Sequence, residues 1–158
     1  MNKTDTNNRR RLFKRLEGDL PPLSLTKRDV GILQMVKEYR FMNSAQIQAL
    51  VGGSAHNVGE RLSRLYHHGY LDRPSQQREL RAEGYRLMVY ALAPKGARVL
   101  AREEGELSRV PRHLAEDNRT AKRFYLAHTL MVSQFRSCLT LACQGRQDIR
   151  LSRWIVPD

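Results

Sequence analysis

Residues 54–73, SAHNVGERLSRLYHHGYLDR, constrain the fold of this chain more than any other stretch. Ser54 is a favoured residue for starting a helix, and Gly69 is the kind of residue that ends one. Between them, apolar residues recur at helical spacing and the intervening positions are polar or charged. The period changes after Gly69, where residues 70–73 resemble the start of a strand. The stretch therefore predicts a capped amphipathic helix that leads into a strand.

The two sides of this helix differ in chemistry. An arc of roughly 100° on the helical wheel is apolar and should face the core; it consists of Val58, Leu62, Leu65 and Tyr66. The opposite side is polar, with side chains of the kind that read DNA: Asn pairs with adenine, Arg with guanine and Glu with cytosine. Side chains near the N-terminus of such a helix reach deepest into the groove. The predicted base contacts are His56, Asn57, Glu60 and Arg61, and the predicted backbone contacts are Ser54 and Arg64.

Two more helices are predicted before this one. Each begins at a capping box, formed by Thr26 with Asp29 and by Asn43 with Gln46. A pair of glycines ends the second helix and supplies the tight turn that a helix-turn-helix needs. The predicted ranges are about 26–40 and 44–51.

A β-hairpin is predicted over residues 71–92, because residues 85–92 are rich in strand-forming side chains and residues 82–84 resemble a turn. A hairpin that follows a helix-turn-helix is a wing. Its arginines are predicted to contact the DNA backbone, with Arg78 and Arg81 nearest the tip. The full set is Arg73, Arg78, Arg81 and Arg86.

The C-terminal third contains a long predicted helix, about residues 119–143. It follows a short helix over residues 94–102 and a charged linker over residues 103–118, and it precedes a strand over residues 149–156. The long helix carries an apolar stripe that little else in the chain could cover, so we expect a homodimer interface there. Its residues are Phe124, Ala127, Met131, Phe135 and Cys138.

The charge of the chain favours nucleic acid as its partner. The net charge is +12, and arginine supplies most of it, since only six of the 28 basic residues are lysine. Arginine matches phosphate and guanine edges bidentately, and the scarcity of aromatic residues favours double-stranded DNA over single strands. Residues 1–23 form a basic arm that we expect to be flexible, in which Arg9, Arg10 and Arg11 would contact the DNA backbone.

Several other classes of protein find no support in the sequence. Cys138 and Cys143 have no partners at metal-ligand spacing, so we expect no metal, no cofactor and no disulfide framework. His67 and His68 are adjacent and would point about 100° apart on a helix, which does not suit a shared ligand. No motif of a catalytic site or of a small-molecule site is present, and no apolar run approaches the length of a membrane span. We therefore expect a cytoplasmic, nucleoid-associated protein that is not an enzyme.

Three segments resemble the replication-relaxation family, which consists of winged-helix proteins of plasmids and mobile elements. They are LTKRDVGILQMVKEYRFMNSAQIQAL, RLSRLYHHGYLDRP and VYALAPKGARVLA, and together they span about residues 25–102. The resemblance implies DNA binding linked to plasmid replication or DNA relaxation.

A weaker resemblance concerns the C-terminus. A helix bearing His128, a strand, and Pro157 with Asp158 resemble the opening of a nuclease-like domain. This resemblance implies that the chain is the front part of a longer nuclease, or a form that lacks the rest of that domain. Asp158 would then be one acid of a metal site, although a lone terminal aspartate is the simpler interpretation.

The predicted fold is mainly α with a small β-hairpin: a winged helix-turn-helix over residues 24–102, followed by a long helix and a short strand. The predicted function is sequence-selective binding of double-stranded DNA. The alternatives are a transcriptional regulator with the same fold, the front part of a metal-dependent nuclease, and a module whose polar helix binds protein. The polar face of the 54–73 helix could also be an ordinary solvated surface.

Overall fold

The computed structural model describes residues 12–105 and 111–155. The chain is mainly helical, with a small antiparallel sheet of three strands. In chain order the elements are α1 (Lys27–Tyr39), β1 (Met42–Asn43), α2 (Ser44–Val51), α3 (Ala55–His67), β2 (Leu71–Asp72), α4 (Gln77–Ala82), β3 (Val89–Leu92), α5 (Pro94–Glu103), α6 (Leu114–Thr120) and α7 (Arg123–Gln144).

Capping side chains set the starts of the first three helices, as predicted. The side chain of Thr26 accepts from the amide of Asp29, and the carboxylate of Asp29 accepts from the amide of Thr26 at 2.6 Å. Asn43 and Gln46 make the same reciprocal pair at the start of α2. At the start of α3, Ser54 Oγ accepts from the amide of Asn57 at 3.2 Å. Each cap satisfies donors that the first turn of a helix leaves unpaired.

The sheet has the order β1-β3-β2, with β3 in the centre and wholly buried. Met42 pairs with Tyr90 on one side, and Leu71 pairs with Leu92 on the other. The sequence analysis did not predict β1 and assigned Asn43 only as a helix cap. Its pairing depends on β3, which lies far along the chain.

The predicted hairpin over residues 71–92 is wrong in its connection. The strands β2 and β3 do pair, but α4 lies between them and residues 85–88 are not in a strand. Gln77 explains the difference: its buried amide donates to Val89 O at 2.9 Å and accepts from Val89 N at 2.8 Å. Leu80 and Tyr85 then pack against a cluster that contains Phe41 and Leu126. The segment folds back onto the protein and does not project as a free loop.

The larger core cluster lies between α1, α2, α3 and the sheet. The predicted inward residues of α3, which are Val58, Leu62, Leu65 and Tyr66, are all buried in it. Burying each large apolar side chain contributes about 1.5–3 kcal/mol relative to exposure. These contacts fix which side of α3 faces outward.

The C-terminal third differs from the prediction in two places. The linker predicted over residues 103–118 contains most of α6, where Asn118 is buried and donates to Leu92 O at 2.8 Å. The strand predicted over residues 149–156 is absent over residues 149–155. Residues 156–158, which include Pro157 and Asp158, lie outside the described part.

The helix α7 packs against α2, α4 and β1 through a seam formed by Leu126, Leu130, Ser133 and Ser137. Ser133 Oγ donates to Phe41 O at 2.8 Å, and Gln46 Nε2 donates to Leu130 O at 3.3 Å. The seam is therefore partly polar. The more apolar side of the helix is left outward.

Candidate nucleic-acid interface

Four of the predicted DNA-contacting residues share the outward side of α3. They are His56, Asn57, Glu60 and Arg64, and all four are exposed. Within the described residues their side chains make no hydrogen bond to other protein groups, so their donors and acceptors face solvent. Because the opposite side of α3 is locked into the core, these side chains are held on a rigid element.

Arg61 is placed differently from its prediction as a base contact. Its Nε donates to Asp29 Oδ1 at 2.6 Å, and its Nη2 donates both to Asp29 Oδ2 and to Ser24 O, the latter at 2.9 Å. Asp29 is 1% exposed. The fork of Arg61 therefore joins α3 to the start of α1, and we withdraw Arg61 from the set of base contacts.

The carboxylate of Asp29 is held in its charged form. Burial alone raises its pKa, but hydrogen bonds from Arg61 and Thr26 outweigh burial, so the pKa of Asp29 lies below its ordinary value. The hydrogen bond to Asp29 raises the pKa of Arg61 in turn. The pair is a structural contact between two helices.

The turn between α2 and α3 combines the predicted glycine pair with two side chains, Arg28 and Gln48, that the sequence analysis did not single out. Gly52 and Gly53 have φ values of 71° and 86°, in the region that favours glycine. Arg28 donates to Gly52 O, and Gln48 Nε2 donates to Gly53 O at 2.8 Å. These bonds fix the angle at which the chain approaches α3. Their only sequence signal was the glycine pair.

The arginines predicted to form a wing are largely engaged within the protein. Arg73 donates to Leu12 O at 2.8 Å and stacks 4.1 Å from the ring centroid of Tyr66. Arg81 donates to Arg86 O at 2.8 Å, and Arg78 stacks on Phe13. Arg78 and Arg86 are both exposed, and within the described residues neither side chain makes a hydrogen bond or an ion pair.

Part of the predicted N-terminal arm is attached to the end of α3. Arg15 donates to Tyr66 O at 2.9 Å and to Leu71 O at 3.0 Å, and the amide of Leu16 donates to His67 Nδ1 at 3.2 Å. Burial, followed by the charges of Arg73 and Arg15, lowers the pKa of His67, which suits an acceptor nitrogen. Arg15 and Leu16 of the predicted arm therefore contact the folded domain. Arg9, Arg10 and Arg11 lie outside the described residues.

The residues predicted for a dimer interface lie on the outward side of α7. Phe124, Met131 and Phe135 are 77%, 71% and 64% exposed, Cys138 is exposed, and Ala127 is half-buried. The seam on the opposite side of the helix is buried, so the predicted stripe is the side that stays exposed. His128 is exposed on the same outward side.

The part of the chain that the structure describes contains neither a metal-binding cluster nor a membrane-spanning helix. No group of three or more His, Cys, Asp or Glu side chains in residues 12–105 and 111–155 is arranged to hold a metal ion. In the same ranges, no helix combines the length and apolarity needed to cross a bilayer.

Comparison with known proteins identifies the family. The model of the replication-relaxation family matches residues 33–156, which is most of the chain and extends beyond the resemblance found in the sequence. The chain belongs to the replication-relaxation family. Membership supports a role in the replication of mobile elements and an interaction with nucleic acid. No curated protein and no solved structure matches the chain.

Proposed function

We propose that this protein is a winged helix-turn-helix protein of a plasmid or mobile element that binds double-stranded DNA selectively during replication or DNA relaxation. The observation that carries the proposal is the outward side of α3. Asn57 and Glu60 offer hydrogen-bonding groups of the type that read base edges, and Arg64 lies one turn further on. These groups stand on a helix whose other side is buried.

The order of elements supports the winged-helix assignment. A helix, a short strand and two helices precede a pair of strands, and the last strand pairs with both others. In such domains the last of the three helices enters the major groove. Here that helix is α3, and its N-terminal residues His56 and Asn57 would lie deepest in the groove.

The wing in this proposal is reduced. The segment between β2 and β3 folds as α4 and packs toward α7, and its exposed arginines are Arg78 and Arg86. Backbone contacts are assigned to Ser54, Arg64, Arg78 and Arg86, together with Arg9, Arg10 and Arg11 from the N-terminus. We expect about six to ten phosphate contacts in all, which makes affinity depend steeply on salt.

A homodimer is the second part of the proposal. Only one charged residue, Arg136, lies between Phe124 and the end of α7, and it pairs with Glu38 at 2.9 Å. Two copies of a chain with a net charge of +12 repel each other, so an uncharged apolar face is where they can meet. A two-fold dimer would place two α3 helices on two half-sites.

Selection of bound duplexes from a random pool, followed by genome-wide footprinting, tests the proposed function. We expect a defined site, with its genomic copies at replication origins of mobile elements. Recovery of no preferred sequence would overturn sequence selectivity. Copies confined to promoters would instead favour a transcriptional regulator with the same binding chemistry. The protein acts by binding in this proposal, and we assign no catalytic step to it.

A further inference from the structure

The helix α5 carries an exposed basic edge. Lys95, Arg98 and Arg102 are spaced three and four residues apart, so they share one side of the helix. The buried residues of α5 lie on the other side; they are Gly96, Ala97, Leu100 and Ala101. The edge is about 10 Å long at 1.5 Å per residue.

This basic edge is fixed against the end of α3 by a close backbone approach. A Cβ at Gly96 would lie 2.3 Å from Tyr70 O, so only glycine lets the helix come this near. The amide of Ala93 donates to the same carbonyl at 3.1 Å. Lys95 Nζ donates to His68 O at 3.1 Å, at the C-terminal end of α3. The start of α5 is thus held beside the end of α3.

An open groove of about 380 Å³ lies at this junction, with His67, His68, Lys95 and Arg98 in its walls. Asp72 also lines it, but that carboxylate is paired with Arg15 at 3.3 Å. Burial and then the charges of Lys95 and Arg64 lower the pKa of His68, which reflects how closely these cations gather. The outward face of α3 therefore continues through His68 onto the basic edge of α5.

Among the described residues, the two arginines of this edge lack the acidic partners that some other arginines have. Arg123 pairs with Glu83 at 2.8 Å, and Arg136 pairs with Glu38 at 2.9 Å. Within the described residues, Arg98 and Arg102 make neither an ion pair nor a side-chain hydrogen bond. A row of unpaired cations repels itself unless a polyanion neutralises it.

We propose that the edge formed by Lys95, Arg98 and Arg102 is a second contact surface for the phosphate backbone of double-stranded DNA. It rests on the proposed DNA-binding function and extends it to residues outside the helix-turn-helix. In this proposal the edge contacts the phosphate backbone of the DNA beside the groove that α3 enters. It supplies backbone contacts that a full wing would otherwise make. Lys95 also holds the end of α3, so Arg98 and Arg102 are the residues that report on DNA alone.

Salt titrations of DNA binding test this surface. Binding is monitored by fluorescence anisotropy, with the selected duplex and with random duplex. The variant is Arg98→Gln/Arg102→Gln, which preserves helix propensity. The matched control is Lys122→Gln/Arg150→Gln, which also removes two positive charges, from two exposed side chains that lie off α5 and make no ion pair within the described residues. The rescue variant is Arg98→Lys/Arg102→Lys.

We expect the slope of log affinity against log salt to fall by roughly 1.8 in the variant, at about 0.9 for each lost phosphate contact. Both duplexes should lose affinity alike, the lysine variant should restore most of the slope, and the control should match the wild type. A variant that behaves like the control while the wild-type protein binds DNA overturns this inference alone. A wild-type protein that binds no duplex at low salt overturns the proposed function as well.

Discussion

Arg61 of α3 and Asp29 of α1 form a bidentate ion pair. The Asp29 carboxylate is 1% exposed, and the Arg61 guanidinium also donates to Ser24 O. The pair joins the helix that we propose for DNA reading to the capping box at the start of the domain. Its role is to hold α3 at a fixed angle, so it positions the residues that contact DNA without itself contacting DNA.

Removing Arg61 should destabilise the fold. Arg61→Ala leaves the Asp29 carboxylate buried without its partner, which costs about 3 kcal/mol in such settings. Urea unfolding of Arg61→Ala, Asp29→Ala and the double variant measures the coupling. The double variant should lose less than the sum of the two single variants, and strict additivity would show that the pair is not a coupled contact.

The contribution of the pair should also depend on pH. The pKa of Asp29 is lower in the folded state than its ordinary value of 3.8, so the folded protein binds that proton less readily than the unfolded chain. The stabilisation is therefore complete above about pH 4 and is lost as the pH falls through the folded-state pKa. We expect the stability difference between the wild type and Asp29→Asn to shrink as the pH falls below about 4, and a constant difference would contradict this account.

Asn57 should contribute to the choice of sequence and Arg64 to affinity in general. Asn57→Ala is expected to weaken binding to the selected site by about 10- to 100-fold, equal to about 1.4–2.8 kcal/mol, and to leave random DNA almost unaffected. Arg64→Gln should weaken both duplexes alike, because a phosphate contact carries no sequence information. Anisotropy titrations on the two duplexes separate these patterns. Equal losses on both duplexes for Asn57→Ala would argue against base reading by α3.

The outward stripe of α7 should govern assembly. Phe124→Ser/Met131→Ser changes two side chains that are 77% and 71% exposed, so the fold should survive while the dimer dissociates. Leu16→Ser/Leu87→Ser is the matched control, since it removes two exposed apolar side chains that lie off this helix. Sedimentation velocity should show dimers for the wild type and the control and monomers for the variant. A wild-type protein that sediments as a monomer at all concentrations would remove the proposed dimer.

Two glycine-to-alanine changes should have opposite signs. Gly96→Ala forces a Cβ against Tyr70 O at 2.3 Å and should destabilise the protein by about 1–3 kcal/mol. Gly31 lies within α1, and no atom lies within 4 Å of an added Cβ. Gly31→Ala should therefore stabilise the protein by about 0.5–1 kcal/mol. Thermal unfolding of both variants measures the two effects. If both variants were less stable than the wild type, the close approach of α5 to Tyr70 O would not be the cause of the destabilisation by Gly96→Ala.

Local signals in the sequence predicted the first three helices well. Their capping residues and apolar spacing depend on residues three or four positions apart, and the observed starts at Lys27, Ser44 and Ala55 follow the capping residues directly. The elements that were missed depend on distant contacts. The strand β1 exists because it pairs with β3. The helix α4 has no capping side chain and is held by Gln77 against Val89.

The candidate site was predictable in outline but not in its partners. The helical wheel separated the inward residues of α3 from the outward ones, but it could not show that Asp29 lies opposite Arg61. The same limit applies to α7, where periodicity located the helix but not its buried side. Packing buried the side with Ser133, whose hydroxyl donates to Phe41 O at 2.8 Å just after α1. Phe124 and Met131 were left outward.

The central position of β3 also affects the sequence in which the elements of the chain can form. In the described part of the chain both edge strands pair with β3 and not with each other, and one of these pairings joins Met42 to Tyr90 across much of the domain. The sheet therefore has high contact order, whereas α1, α2 and α3 form from local contacts. During synthesis the three helices can assemble first, but neither edge strand has a partner until Val89–Leu92 has left the ribosome. A nascent chain interrupted before that point would expose two unpaired strands, and we expect such a chain to be prone to aggregation.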